Sequence, residues 1–258
     1  MRILSILLII IILSACNKPS SNPNTLVIGT ISGPESELVE TAKQVAEGKG
    51  LHIKIVEFND YNLPNQALQD GSLDANVYQH LPYLKAALKA HGYTLEAIGR
   101  TFVYPMGVYS QKIKSLSQLA NNALIALPDD PSNETRALLL LQKAGLIKVK
   151  NNPLGGLQDI KSNPKQLRFK EINAAQLPRV LQDVDAAVIN TTFALPAGLN
   201  PTGALFMEGK DSPYANVIVV RSDSLKNPQL KLFVQAINSN EVKAKAKQLF
   251  GDAALAAW

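Results

Sequence analysis

The chain has 258 residues, is 46% hydrophobic and 18% charged, and carries a net charge of +5, a balance that suits a globular body of one large domain or two lobes. Its single cysteine excludes an intramolecular disulfide, and three histidines beside it leave little from which to build a metal cluster. Lys and Arg are spread along the chain, with only Lys243, Lys245 and Lys247 in a short alternating group, so the positive balance reads as a solvated face and excludes a nucleic-acid footprint.

Met1 and Arg2 precede an apolar run from Ile3 to Leu13 that ends in small residues. The run is too short to span a bilayer, and a charged start with a short apolar centre marks residues 1–15 as a secretory signal peptide. Leu13-Ser14-Ala15-Cys16 resembles the bacterial lipobox, which implies cleavage before Cys16 and lipidation of that cysteine as a membrane anchor. The stretch that follows, up to residue 24, is polar and broken by Pro19 and Pro23, and reads as a flexible tether.

Beyond the tether the chain repeats itself. HIKIVEFNDYNLPNQALQDGSLDANV from His52 lies over QLRFKEINAAQLPRVLQDVDAAV from Gln166, placing Glu57 on Glu171, Asn59 on Asn173, Leu63-Pro64 on Leu177-Pro178 and Asp74-Ala75 on Asp185-Ala186. In each copy an alternating apolar run predicts a strand, Leu-Pro opens a short helix, and Asp-Ala begins a second strand. A further strand and helix lie upstream of each: Thr25 to Thr30 with Glu35 to Glu47, and Ala123 to Leu127 with Asn133 to Ala144. Each half is therefore β-α-β-α-β, which predicts two α/β lobes with parallel-rich sheets. Thr101 to Tyr109 and Asn216 to Arg221 read as crossover strands between them. Lobe 1 is then expected from residues 25–104 and 217–258, and lobe 2 from residues 105–216. Asn227 to Trp258 is helical in pattern, with Trp258 a packing residue.

Ligands of such sheets gather at the carboxyl ends of the strands. Tyr78-Gln79-His80 and Asn190-Thr191-Thr192 occupy those ends and should face one cleft. Pro131, Ser132 and Asn133 predict a helix start, whose free N–H groups would point at whatever lies before it, and Gly145 predicts its stop. Arg136 in its first turns is then either a carboxylate or phosphate site or a surface partner of Asp129, Asp130 or Glu134. Asn190 and Asn216 can pair with both an ammonium and a carboxylate. Tyr61, Tyr78 and Tyr83, with Phe102, could supply an apolar wall. His52 and His91 read as structural, and His80 as a loop residue or a ligand contact. No GxSxG, HExxH, Walker loop or GxGxxG is present, and no nucleophile or carboxylate pair declares itself near His80. A binding protein therefore fits better than an exported hydrolase.

Asn59-Asp60-Tyr61 with Leu63-Pro64-Asn65, Gln79-His80 with Pro82-Tyr83-Leu84, Thr101 to Pro105, Asp130-Pro131 with Asn133 and Arg136, Ile189 to Thr192, and Ser212-Pro213-Tyr214 with Asn216 together resemble the MetQ / NlpA family of methionine-binding lipoproteins. The resemblance runs from about Leu26 to Trp258. It implies a periplasmic-binding-protein-like fold of type II, two lobes joined by two hinge strands around a ligand cleft. It further implies an ABC importer's substrate-binding protein, monomeric and without cofactor or metal, whose partners are methionine (L- or D-, or a dipeptide such as Gly-Met), the permease and its ATPase. Carried over by position, Arg136 takes the ligand carboxylate, Asn190 and Asn216 the amino-acid head, His80 lies near the ligand, and Tyr61, Tyr78 and Tyr83 surround its side chain. Against the family's pattern, Tyr78 stands for a common Phe, Thr135 for a Gly and Leu81 for a Lys. An Arg136 kept dry without an anion would favour closure only around an amino acid, and Arg136→Ala is expected to abolish binding with little loss of fold.

Overall fold

The computed structural model describes residues 24–209 and 212–258. The signal peptide, the lipidation of Cys16 and the tether up to residue 23 lie outside the described residues. From Thr25 the chain runs through β1 (Thr25–Ile31), α1 (Pro34–Glu47), β2 (His52–Phe58), α2 (Pro64–Gln69), β3 (Ala75–His80), α3 (Leu81–His91) and β4 (Leu95–Val103). It crosses to β5 (Gly107–Tyr109), β6 (Leu124–Pro128), α4 (Pro131–Lys143), β7 (Lys148–Val149), β8 (Ile160–Ser162), β9 (Arg168–Ile172), β10 (Ala186–Ile189), α5 (Thr191–Ala194) and β11 (Phe206–Met207). It then returns through β12 (Ala215–Arg221), α6 (Pro228–Ile237), α7 (Asn240–Phe250) and β13 (Leu255–Ala256).

Two main sheets result, one ordered β13-β4-β12-β3-β1-β2 and the other β11-β5-β10-β6-β9, with β7 and β8 as a separate pair. In each, the first strand of the repeat lies between the two parallel strands of its copy: β1 between β2 and β3, and β6 between β9 and β10. An antiparallel strand then closes the pattern, β12 beside β3 and β5 beside β10. β1 and β10 are buried on both faces, as parallel strands covered by helices must be, so they read as continuous apolar runs.

The repeated Asp-Ala has one structural cause. Asp74 exchanges two bonds with β1, its N donating to Val27 O at 2.7 Å and its Oδ2 accepting from Val27 N at 2.7 Å. Asp185 does the same to Leu124 of β6, at 2.8 and 2.7 Å. A side chain thus completes the ladder where the strands begin, and Ala follows because the next position is fully buried.

One core packs α1, α6 and α7 on the first sheet, around Leu26, Ile28, Leu38, Phe102, Phe233 and Ile237. Another packs α4 on the second, around Val108, Ile125, Leu138, Leu141 and Val188. Gly92 and Gly145, at φ 69° and 77°, end α3 and α4 in the left-handed region that glycine adopts without strain.

Several expectations need correction. The run Thr101–Tyr109 is not one strand: β4 begins at Leu95, and Tyr104 to Met106 break the ladder around Pro105, which has no N–H to offer. The return strand, read as Asn216 to Arg221, begins one residue earlier, at Ala215. In the second copy the Leu-Pro helix is a run of 3₁₀ turns, Ala174–Val180, that starts before Pro178 with Asn173 capping it. The C-terminal segment is two helices capped separately by Asn227 and Ser239, ending in β13. Trp258 is 46% exposed and meets Phe102 edge-on at 4.9 Å.

Candidate functional site

The carboxyl ends of β3 and β10 meet at one narrow cleft between the two sheets. All seven residues singled out in the sequence, Tyr61, Tyr78, His80, Tyr83, Arg136, Asn190 and Asn216, line it. Gln79, Tyr104, Asn133, Thr191 and Thr192 complete the wall. Phe102 does not reach it; it is 1% exposed inside the first core.

His80 and Asn190 occupy matching places in the two halves, each the last residue before a helix begins. Both converge on one acceptor, the Oδ1 of Asn133 in the first turn of α4, His80 Nε2 at 3.2 Å and Asn190 Nδ2 at 3.0 Å. Asn133 is aimed by Asp130, which accepts from its Nδ2 at 2.9 Å and from its backbone N at 2.9 Å. His80 Nδ1 accepts from Tyr83 N at 3.2 Å and caps α3, so the ring proton belongs on Nε2. Burial and then the nearby Arg136 cation lower the His80 pKa to about 3, which keeps the ring neutral. The His80–Asn133 bond joins the end of β3 in the first sheet to the first turn of α4 in the second half.

α4 begins at Pro131, where the start signals place it, and Asp130 stands just before it. It is the N-cap, and its Oδ1 accepts from the Asn133 backbone N, so a side chain of the chain itself takes one of the free N–H groups there. Thr135 leaves the cleft unchanged. It is 6% exposed, turned toward Pro131 O at 2.8 Å and the carbonyl of Gly155.

Arg136, 3% exposed, is not without a counter-ion, contrary to expectation. Its Nε donates to Glu208 Oε1 at 2.8 Å, and its Nη2 donates to Glu208 Oε2 and, at 2.9 Å, to Tyr104 O. The guanidinium carbon lies 4.4 Å from the centre of the Tyr214 ring, within cation–π range. Its pairing partner is none of Asp129, Asp130 and Glu134. Nη1 makes no hydrogen bond to any described residue, and Arg136 is part of the cleft lining. Asn190 Oδ1 is buried without a partner. A buried orphan acceptor costs about 1–3 kcal/mol, so this atom is set to receive a donor.

Asn216 joins the cleft through an irregularity. β12 slips register on both neighbours around it, between Val217 and Ile218 against β3 and between Ala215 and Val217 against β4. Such bulges re-aim side chains beside binding sites.

The apolar end is aromatic. Tyr61, Tyr78 and Tyr83 lie 5.8–6.0 Å apart by ring centre, and Phe193 from the second half stands 4.8 Å from Tyr61. Burial raises the pKa of all three phenols, so they stay neutral. The Tyr78 hydroxyl, beside Tyr83, has no hydrogen bond of good geometry. Beneath this wall Asn65, Asn76 and Gln79 satisfy one another, with Asn65 Nδ2 on Gln79 Oε1 at 2.9 Å and Asn76 Nδ2 on Asn65 Oδ1 at 2.9 Å. Leu81, 40% exposed, lies outside the cleft at the start of α3. His52 and His91 are exposed and away from the cleft.

Sequence reasoning missed Glu208, Tyr104 and Phe193. The Thr101 to Pro105 motif contained Tyr104 without giving it a role, and the Ile189 to Thr192 and Ser212-Pro213-Tyr214 motifs pointed only toward the neighbourhoods of Phe193 and Glu208. Among the described residues no group of three or more His, Cys, Asp or Glu could hold a metal ion, and no helix is long and apolar enough to cross a membrane.

The family described as NlpA lipoprotein matches residues 26–258. The D-methionine-binding lipoprotein MetQ of Escherichia coli (strain K12) is 47% identical over 252 residues, covering 95% of this chain and 93% of that protein. Among solved structures, an ABC transporter periplasmic substrate-binding protein from Coxiella burnetii is 56% identical with a TM-score of 0.88, covering 90% of this chain and 100% of that one. A nutrient-binding protein from Burkholderia cenocepacia bound to methionine is 48% identical with a TM-score of 0.88, over 90% and 100% of the two chains. These likenesses bear out the periplasmic-binding-protein-like α/β fold that the resemblance implied.

Proposed function

Because the chain belongs to the NlpA lipoprotein family, we propose that it is the substrate-binding lipoprotein of an ABC importer and that the cleft around Arg136 receives methionine. The observation that carries this reading is a pair of complementary groups on residues of one cleft, a guanidinium Nη1 without a partner among the described residues and the buried, unpaired Oδ1 of Asn190. An α-amino acid presents the matching pair, a carboxylate to accept from Arg136 and an ammonium to donate to Asn190. Asn216 serves the same head group. Neutral His80 adds no competing charge beside it.

The tyrosine wall takes the thioether. Sulfur is polarizable and settles at ring edges for about 0.3–1.5 kcal/mol per contact. A ligand bonded to Asn190 and Arg136 on one side and seated against Tyr61, Tyr78 and Tyr83 on the other adds to the His80–Asn133 link, so closure and binding favour each other. The closed form is what the permease recognises, and docking, driven by the partner ATPase, pulls the lobes apart for release. The protein works as a monomer in the cell envelope, anchored through lipidated Cys16 with its body in the periplasm or outside the cell. It binds without transforming its ligand and uses no cofactor.

Calorimetric titration of the purified protein tests this. Saturable heat at one ligand per chain is expected with methionine, and competition among L-methionine, D-methionine and Gly-Met ranks them. Absence of heat with all three, alongside tight binding of an unrelated molecule, would overturn the assignment.

A further inference from the structure

Glu208 lies in the second crossing between the sheets, immediately after β11, and its side chain is 10% exposed. Its Oε1 accepts from Arg136 Nε at 2.8 Å. Its Oε2 accepts from Arg136 Nη2, from Met106 N at 2.9 Å and from Ser212 Oγ at 3.3 Å. Its own backbone N donates to Met106 O at 3.0 Å. Both crossings are therefore fastened together at the residue that grips the guanidinium. A two-point grip of this kind fixes the plane of the group, and it leaves Nη1 as the nitrogen without a bond to any described residue on a side chain that lines the cleft.

The grip also sets the charge of the cleft. The Arg136 cation is cancelled before any ligand arrives. Of the other carboxyl groups near the cleft, Glu35 bonds Thr192 and is kept protonated by burial, which raises its pKa to about 8, while Asp130 is bonded to Ser132 and Asn133, and Asn133 carries that polarity to His80 and Asn190. No net positive charge is left to draw in a bare carboxylate. A ligand bringing one negative charge and no positive one would place it among Glu208 and Asp130 without compensation, and would leave Asn190 Oδ1 unpaired. A zwitterion avoids both penalties.

Resting on the reading that the cleft takes an α-amino acid, we propose that Glu208 is a positioning and specificity residue: it orients Arg136 and cancels its charge, so that the cleft admits zwitterions and rejects carboxylates lacking the ammonium group. Specificity of this kind is a difference between two affinities and is built as much from what is repelled as from what is bound.

The test measures binding of L-methionine and of 4-(methylthio)butanoate, the same molecule without its amino group, to the purified wild type, Glu208→Gln and Glu208→Asp, with thermal unfolding of each. The wild type is expected to prefer methionine by at least about tenfold, and Glu208→Gln to shrink that preference by about tenfold or more. Glu208→Asp keeps the charge on a shorter arm, so it should bind methionine more weakly yet retain the preference. That rescue is one a purely structural role would not give. A preference unmoved by Glu208→Gln, or lost equally in Glu208→Asp, overturns the role of Glu208 alone. If Glu208→Gln does not fold, the aspartate variant decides by the same criterion. A wild type that binds neither compound overturns the amino-acid reading itself, and this role with it.

Discussion

Arg136 is bonded on two edges and stacked on one face before a ligand is considered, and this changes what its removal should do. The sequence suggested a residue that could be deleted with little loss of fold. Yet Arg136→Ala strands Glu208, which is 10% exposed and paired to no other cation among the described residues. Breaking a buried pair by deleting one partner costs about 3–5 kcal/mol. Arg136→Ala should therefore lower the unfolding free energy by about that amount in denaturant titration, and weaken methionine binding at least about 30-fold. Unchanged stability would mean that the pair is not formed in solution. Tyr78 is the opposite case. Its hydroxyl is buried without a well-formed bond, so Tyr78→Phe keeps the ring and removes an unsatisfied group. A gain of about 1 kcal/mol in unfolding free energy is expected, and a loss would show that the hydroxyl is bonded.

The two strand-helix repeats owe their likeness to bonds that can be cut one at a time. Asp74 and Asp185 each complete the ladder of a different sheet and share no partner. Asp74→Ala and Asp185→Ala should each cost about 1 kcal/mol, and the double variant should equal their sum within about 0.5 kcal/mol. A clearly larger loss would mean that the two sheets do not respond independently. These aspartates also show why so much of the architecture could be read from the chain: strand, turn, Asp-Ala and strand end recur in order, and each is a local feature with a local cause. The polar ends at His80 and Asn190 could be located for the same reason. Glu208 could not. It meets Arg136 across 72 residues of sequence, from just beyond a two-residue strand without periodicity, and only the register of the crossings brings them together. The separate caps of α6 and α7 were hidden by an apolar stripe that continues through both helices. The role of Asp130 as the cap of α4 was masked by Pro131, Ser132 and Asn133, which carry start signals of their own.

Between the two halves, titratable groups tie stability to pH from opposite sides. Glu35, 4% exposed in the first turn of α1, bonds the Thr192 hydroxyl of α5. Burial raises its pKa from the ordinary 4.5 to about 8 despite the Thr192 bond. A carboxyl so raised holds a proton in the folded state that the unfolded chain has released, so its contribution falls as pH rises from 4.5 to 8. His80, held neutral with a pKa near 3 against an ordinary 6.5, contributes the reverse, a loss of stability as pH falls from 6.5 toward 3. Glu35→Gln keeps a polar group for Thr192 and cannot ionise. Its stability should gain on the wild type steadily from pH 5 to pH 8 in parallel melts, and a constant difference would place the proton elsewhere.

The most direct test of methionine as the ligand is a crystal structure of the protein grown with L-methionine. The expected result is the ligand carboxylate on Arg136 Nη1, its ammonium on Asn190 Oδ1, and its sulfur among Tyr61, Tyr78 and Tyr83. Methionine bound elsewhere, or a cleft whose Arg136 and Asn190 meet no part of it at saturating concentration, would contradict the assignment.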